Sequence, residues 1–390
     1  MRPPSLSLPQ PPDELARLST ELGNRMVAEI QRGGPMPFDQ YMRMALYEPG
    51  LGYYVNGLHK FGAEGDFVTA PGQGALFAAA VARQCDEVAR AIGPGWTLME
   101  LGPGAGTLAR DVLERLEVPP ARYLILEPSA ALRQVQRETL DTLPAALRAK
   151  VHWLDAPPEE SFEGVILANE VIDALPVARF LVDKGRFFEQ FVAVGDQRLQ
   201  WHVAEPRPRV MSALKALAEA LPAPLPGGYA SEICVDLPGW LDTVTRPLAR
   251  GLALFIDYGY PRAEYYHADR SDGTLVCHYR HRAHFDPFVW PGLTDISAFV
   301  DFTAAAEAGH DAGMEVAGFS SQAGFLLSLG VHEMIEQAAS ERERMSLAGE
   351  IKRLTLPGEM GERFKVLGLA RGKVPERLAG FELMSQLHRL

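Results

Sequence analysis

The sequence is poor in cysteine: Cys85, Cys234 and Cys277 are the only three in 390 residues, and no CxxC pair occurs. An odd number of widely spaced thiols builds no disulfide framework. A small secreted scaffold is therefore excluded, and a reducing compartment, read as the cytoplasm, is expected. Long apolar runs are also missing. The longest strictly apolar stretch is residues 75–82, whereas a membrane-spanning helix needs ~20 residues, so membrane insertion is excluded. The first residues, MRPPSLSLPQPPDE, hold no apolar segment and carry Asp13 and Glu14. They read as a flexible Pro-rich start over 1–14, neither signal nor transit peptide. There is no basic excess: 38 Lys and Arg against 50 Asp and Glu leave a net charge of −12. Such a chain does not attract a phosphate backbone, so nucleic acid gains no support as a partner, and a cationic partner suits it better. The 36 glycines and 30 prolines follow no period, which excludes collagen and coiled coil.

What is present is the composition of a folded globular protein, 47% hydrophobic and 23% charged. Leu15, Leu18, Leu22, Met26 and Ile30 stand at helical spacing and predict a helix over 15–32. A second helix is expected at 38–46 and a third at 75–92. Between them, 47–74 is Gly-rich and aromatic, a long loop of the kind that is more often functional than idle. Residues 15–95 thus form an N-terminal helical and lid region. From 96 to 390 the pattern is that of an α/β domain. Apolar runs at 97–101, 123–127, 151–154, 164–168 and 253–257 alternate with helical segments and predict a parallel sheet covered on both faces. A terminal strand is expected at 364–370, and helices at 297–308, 320–328 and 331–348. Insertions fall at 178–249, where 178–204 alternates as antiparallel strands do, and at 258–296.

The turn after the first strand reads Glu100-Leu-Gly-Pro-Gly-Ala-Gly-Thr107. Gly102, Gly104 and Gly106 allow a sharp turn and close approach of a ligand. Glu127 ends the next strand, where a carboxylate can accept both hydrogen bonds of a ribose diol. A dinucleotide site would want a third glycine at 107, which is Thr. S-adenosylmethionine carries an ammonium, a carboxylate and a ribose but no pyrophosphate, and it fits these residues better, with Glu100 available to its amine. Asp155, after the third strand, reads equally as an adenine contact or a solvated loop acid. At the end of the fourth strand, Asn169, Glu170 and Asp173 can orient a cationic or protic nucleophile and take its proton. The alternative is a helix cap with exposed acids. His278, His281 and His284 lack a second Cys/His pair and are interleaved with Arg280 and Arg282. A metal is therefore not expected, and a polar loop contacting substrate or partner is. Tyr53, Tyr54, Phe61 and Phe67 suit adenine stacking or plain core packing. No GxSxG supports a serine hydrolase.

ELGPGAGT, ALYEPGLGYYV with FGAEGDFVTAP, ANEVIDALPV, LFIDYG and YRHRAHFDPF with DISAFVDFT together resemble the MidA family. These are class I S-adenosylmethionine-dependent methyltransferases related to the mitochondrial complex I assembly arginine methyltransferase. The resemblance runs from about residue 20 to the C-terminus. It implies an α/β fold: a class I methyltransferase Rossmann-like sheet with an N-terminal helical lobe and an inserted substrate lobe. It also implies symmetric dimethylation of an arginine in a protein partner, a respiratory complex I subunit. Glu100, Gly102, Gly104, Gly106 and Glu127, with Gly65, Asp66, Phe67 and Thr69 of the loop and Asn169, Glu170 and Asp173, would then build the cofactor and substrate site. One departure follows TAP, where the family's polar segment before Phe is replaced by Gly72-Gln73-Gly74-Ala75-Leu76. A nicotinamide or flavin oxidoreductase, a small-molecule O- or N-methyltransferase and an assembly factor without turnover are the competing readings.

Overall fold

The computed structural model describes all residues except 1–7, 58–73, 197, 337 and 376. The chain divides into two compact units, one drawing its described residues from Met1–Phe67, Asp173–Leu237 and Arg262–Phe299, the other from Val68–Ile172, Pro238–Pro261 and Val300–Leu390.

The second unit holds the large sheet. Its strands are β1 (Thr97–Leu101), β2 (Arg122–Leu126), β3 (Val151–Leu154), β4 (Phe162–Asn169), β5 (Leu248–Tyr260), β6 (Glu315–Ser321) and β7 (Phe364–Arg371). They lie in the order β6-β7-β5-β4-β1-β2-β3, with a two-residue strand, Val300–Asp301, beside β5. The first five pair in parallel. Their apolar runs have the physical reason anticipated from the sequence: both faces are covered, and Leu98, Met99, Val165, Ile166, Leu254 and Phe255 are fully buried. Helices Ala75–Ile92 and Thr107–Arg115 supply Phe77, Val81, Leu108 and Val112 to the same core. β7 runs antiparallel to both β5 and β6. After β1 the chain moves outward through β2 and β3, then returns to β4 on the other side of β1. That reversal is the switch point of an open α/β sheet, and ligands bind at the carboxyl ends of the strands beside it.

Three expectations need correction. The helix read over 297–308 begins at Phe302, because the Asp301 side chain accepts from Ala304 N at 3.0 Å and caps it; Asp295–Ser297 and Val300–Asp301 are strands. The helix read over 320–328 begins at Gln322, capped by Ser321 at the end of β6. The segment 331–348 is two helices, Glu333–Glu336 and Glu341–Thr355, the second capped by Ser340.

In the first unit, helices Asp13–Gly33 and Phe38–Tyr47 pack on an antiparallel sheet. That sheet joins Met36–Pro37, Ala178–Asp183, Arg186–Gly195, Arg198–Ala204 and Ala230–Ile233, and the alternation of 178–204 is its signature. Leu22, Met26, Phe38, Tyr41 and Val192 form its core. A three-stranded sheet of Val276–Tyr279, Arg282–His284 and Asp295–Ser297 belongs to the same unit. Among the described residues no helix is long and apolar enough to cross a membrane.

Candidate cofactor and active site

The turn after β1 is built on backbone conformations open chiefly to glycine. Gly102, Gly104 and Gly106 have φ of 53°, 57° and 81°, and Gly102 N donates to Leu126 O at 3.0 Å, holding the turn against the end of β2. Gly106 is the position where the requirement is double. It is left-handed, and a Cβ there would stand 3.3 Å from Gln136 Cα.

Gln136, fully buried in helix Ala130–Leu140, explains that closeness. Its Nε2 donates to Gly104 O at 2.9 Å and to Glu127 Oε2 at 3.2 Å, and its Oε1 accepts from Trp153 Nε1 at 2.9 Å. One amide therefore fixes the glycine turn, the acid after β2 and β3 relative to one another. Glu127 Oε1 also accepts from Ser129 N at 2.8 Å. Arg133 clamps the same corner, donating to Glu127 O, to Leu154 O at 2.9 Å and to Asp155 Oδ1 at 2.5 Å. Asp155 itself is 88% exposed. Gln136 and Arg133 were not singled out from the sequence. A glutamine on the apolar face of a predicted helix was the available signal.

Glu100 is buried in β1 and accepts from Tyr123 OH at 2.6 Å. Burial pushes its carboxyl up to about 7, and the phenol hydrogen bond only partly opposes this. A carboxyl raised from 4.5 to about 7 stabilises the fold fully below pH 4.5, and that contribution is lost as pH rises through 7. The amount is on the order of 3 kcal/mol. Glu100→Gln, always neutral, is expected to flatten this fall. Urea midpoints between about pH 4.5 and about pH 8 should decline less in the variant than in the parent; parallel profiles would show that Glu100 is ionised throughout.

At the neighbouring strand ends, Asn169 Nδ2 donates to Glu170 Oε1 at 3.2 Å, and Glu170 has φ of 54°. Asn169 Oδ1 is buried without a hydrogen-bond partner among the described residues. Such an acceptor costs ~1–3 kcal/mol and is the kind of group a ligand donor satisfies. Asp257, at the end of the buried run of β5, receives Val171 N and Ile172 N on Oδ2 at 3.2 and 3.0 Å. It too was absent from the candidate residues read from the sequence.

The sequence grouped Asp173 with Asn169 and Glu170. The structure assigns it to the other unit, where it is buried and its carbonyl accepts from Ala298 N at 3.1 Å. In that unit Tyr53 is buried in the core, and Tyr54 OH donates to Asp295 Oδ1 at 2.8 Å. Burial, aided by the charges of Asp295 and Asp173, pushes the Tyr54 phenol well up. His278 and His284 lie on paired strands, and His281 lies at the hairpin tip with Arg280, both at positive φ. Burial and the neighbouring His284 lower His278 to about 4. Among the described residues no group of three or more His, Cys, Asp or Glu side chains is placed to hold a metal. Gly65, Asp66, Phe67 and Thr69, with Phe61, lie outside the described residues.

Residues 80–320 match a family described as S-adenosyl-L-methionine-dependent methyltransferase. The mitochondrial protein arginine methyltransferase NDUFAF7 homolog of Drosophila melanogaster is 30% identical, with 95% of this chain and 91% of that protein covered. Its Mus musculus counterpart is 27% identical over 90% and 84% of the two chains. A Burkholderia thailandensis protein crystallised with S-adenosyl-homocysteine superposes with a TM-score of 0.92 at 40% identity, covering 98% of this chain and all of that one.

Proposed function

Because the chain belongs to this family of S-adenosyl-L-methionine-dependent methyltransferases, we propose that it methylates an arginine side chain of a protein partner. The observation that carries the cofactor reading is the Gln136 bridge. It holds a turn of three left-handed glycines and the buried Glu127 carboxylate in one fixed cradle, which suits a ribose beside a backbone with no Cβ in the way. The orphaned Asn169 oxygen at the end of β4 adds an acceptor for a ligand donor. Glu127 is assigned the ribose hydroxyls, Gly102, Gly104 and Gly106 the close approach, Glu100 the ammonium and Asp155 the adenine edge. Gly65, Asp66, Phe67 and Thr69 are assigned to cofactor binding by the family resemblance.

When bound, S-adenosylmethionine supplies an electrophilic methyl group on its sulfonium. The protein's own contribution is position and charge, since the displacement needs no covalent nucleophile. Glu170 is assigned the hold on the guanidinium, a planar, permanently charged group that carboxylates bind best. Asp173, by its place in the sequence, is the second acid of this reading and takes the released proton, alone or through water, while Asn169 is assigned the orientation of Glu170, to whose Oε1 it donates. The relatives named protein arginine methyltransferases, at 26–30% identity, support a protein arginine as the acceptor. The family resemblance extends it to symmetric dimethylation of a respiratory complex I subunit. A reducing compartment, read as the cytoplasm, is part of this proposal and rests on the three widely spaced cysteines of the sequence.

The test uses purified protein, S-adenosylmethionine tritiated on the methyl, and protein extract from cells lacking the enzyme. Label is expected in protein and, after acid hydrolysis, in methylated arginine. Label in lysine, or only in small molecules, would replace the arginine assignment.

A further inference from the structure

The end of β4 carries a backbone conformation whose restraint comes from the next strand. Glu170 has φ of 54°, the left-handed region that residues with a Cβ rarely adopt. Its own N–H donates to Ile256 O at 2.9 Å, one rung beyond the Ile256–Asn169 pairing of β5 and β4. The chain then turns so that the next two amides, Val171 N and Ile172 N, converge on a single oxygen, Asp257 Oδ2, at 3.2 and 3.0 Å. The other oxygen, Oδ1, accepts from Tyr258 N at 2.9 Å. Asp257 is buried, and backbone amides on a carboxylate make strong, short-range anchors. A sparsely populated conformation persists only where its surroundings over-determine it, and such residues cluster at functional sites. Here the surroundings include one carboxylate, which takes the two amides directly after the strained residue. The Asn169 amide on Glu170 Oε1 adds a restraint on the side chain.

We infer that Asp257 is a positioning residue for the transfer reaction: it locks residues 170–172 and so keeps Glu170 left-handed, fixing the direction of its carboxylate. The inference rests on the assignment of Glu170 to the reaction. Asp257 need not touch substrate or cofactor. Removing its carboxylate frees Val171 N and Ile172 N and lets Glu170 relax to an ordinary backbone conformation.

The experiment measures the rate of tritiated methyl transfer into the same cell extract for Asp257→Ala, Asp257→Asn, Glu170→Gln and the double variant Glu170→Gln/Asp257→Ala. Affinity for S-adenosylhomocysteine is measured by calorimetry. Asp257→Ala is expected to slow transfer about tenfold or more while its S-adenosylhomocysteine affinity stays within about twofold of the parent. Asp257→Asn keeps one acceptor oxygen for the two amides and is expected to fall between Ala and the parent. The double variant is expected to be no slower than Glu170→Gln alone, because the Asp257 effect passes through Glu170. Should Asp257→Ala fail to fold, the Asn variant decides: a partial loss supports the role, and the parental rate overturns it. The role is also overturned if Asp257→Ala keeps the parental rate, if its rate falls only as its cofactor affinity falls, or if the two losses multiply in the double variant. Glu170→Gln at the parental rate would instead remove the assignment of Glu170 itself.

Discussion

Replacing Glu170 with Gln is expected to slow methyl transfer by roughly 10²–10³-fold, the range for losing one positioned group that stabilises charge in the transition state. Affinity for S-adenosylhomocysteine should stay within about twofold. The asymmetry follows from what the substitution removes. Gln has the same shape and keeps an oxygen able to accept from Asn169 Nδ2, now at 3.2 Å on Glu170 Oε1. The backbone bond from residue 170 N to Ile256 O does not involve the side chain. The fold and the glycine cradle around Gln136 are therefore left as they are, and only the negative charge is lost. A guanidinium would lose its charge-assisted partner in that change, whereas the ribose site proposed at Glu127 would be left intact. Single-turnover transfer into extract protein, beside calorimetric titration, separates the two quantities. Transfer within about threefold of the parent would show that the carboxylate takes no part in the reaction.

Gly106→Val is expected to abolish cofactor binding by a different route. The residue has φ of 81°, and its Cβ would lie 3.3 Å from Gln136 Cα and 3.4 Å from Gln136 Cβ and Cγ. A β-branched side chain is a genuine outlier in the left-handed region, and Gln136, already fully buried, has little room to yield. Displacing Gln136 undoes both bonds from its Nε2 at once, to Gly104 O and to Glu127 Oε2, and the one its Oε1 accepts from Trp153 Nε1. A loss of at least about a hundredfold in S-adenosylhomocysteine affinity is expected, about 2.7 kcal/mol. Lost stability of about 1–3 kcal/mol from the strained backbone should accompany it. Calorimetry and urea unfolding report the two separately. A folded Gly106→Val protein with parental affinity would remove the turn from the cofactor site.

The central strands were legible because burial on both faces leaves an uninterrupted apolar run, as in TLMEL and GVILA. β6 was not, since Gly318, Ser320 and Ser321 break its pattern and the helix signal of 322–328 extends over its end. The alanine-rich stretch 304–306 similarly drew the expected helix back to 297, and only the Asp301 cap marks its true start. The site shows the same division. Glu100, Glu127, Glu170 and Asp257 each stand at the carboxyl end of a sheet strand. Strand-end acidity is readable in a sequence, and applied without exception it would have found Asp257. Gln136 stands in line with Leu132 and Leu140 on the apolar face of its helix, which marks it for burial but does not say which groups it binds. The left-handed backbone of Glu170 was beyond reach, because it depends on amides bound by a strand more than eighty residues away.

The central claim, that the strand-end site methylates a protein arginine, is tested most directly by quantitative mass spectrometry of proteins from three sets of cells. One carries the wild-type chain, one the Glu170→Gln chain, and one lacks the gene. At least one arginine should be dimethylated with the wild-type chain and unmodified in the other two. An arginine methylation pattern identical in all three would contradict the account.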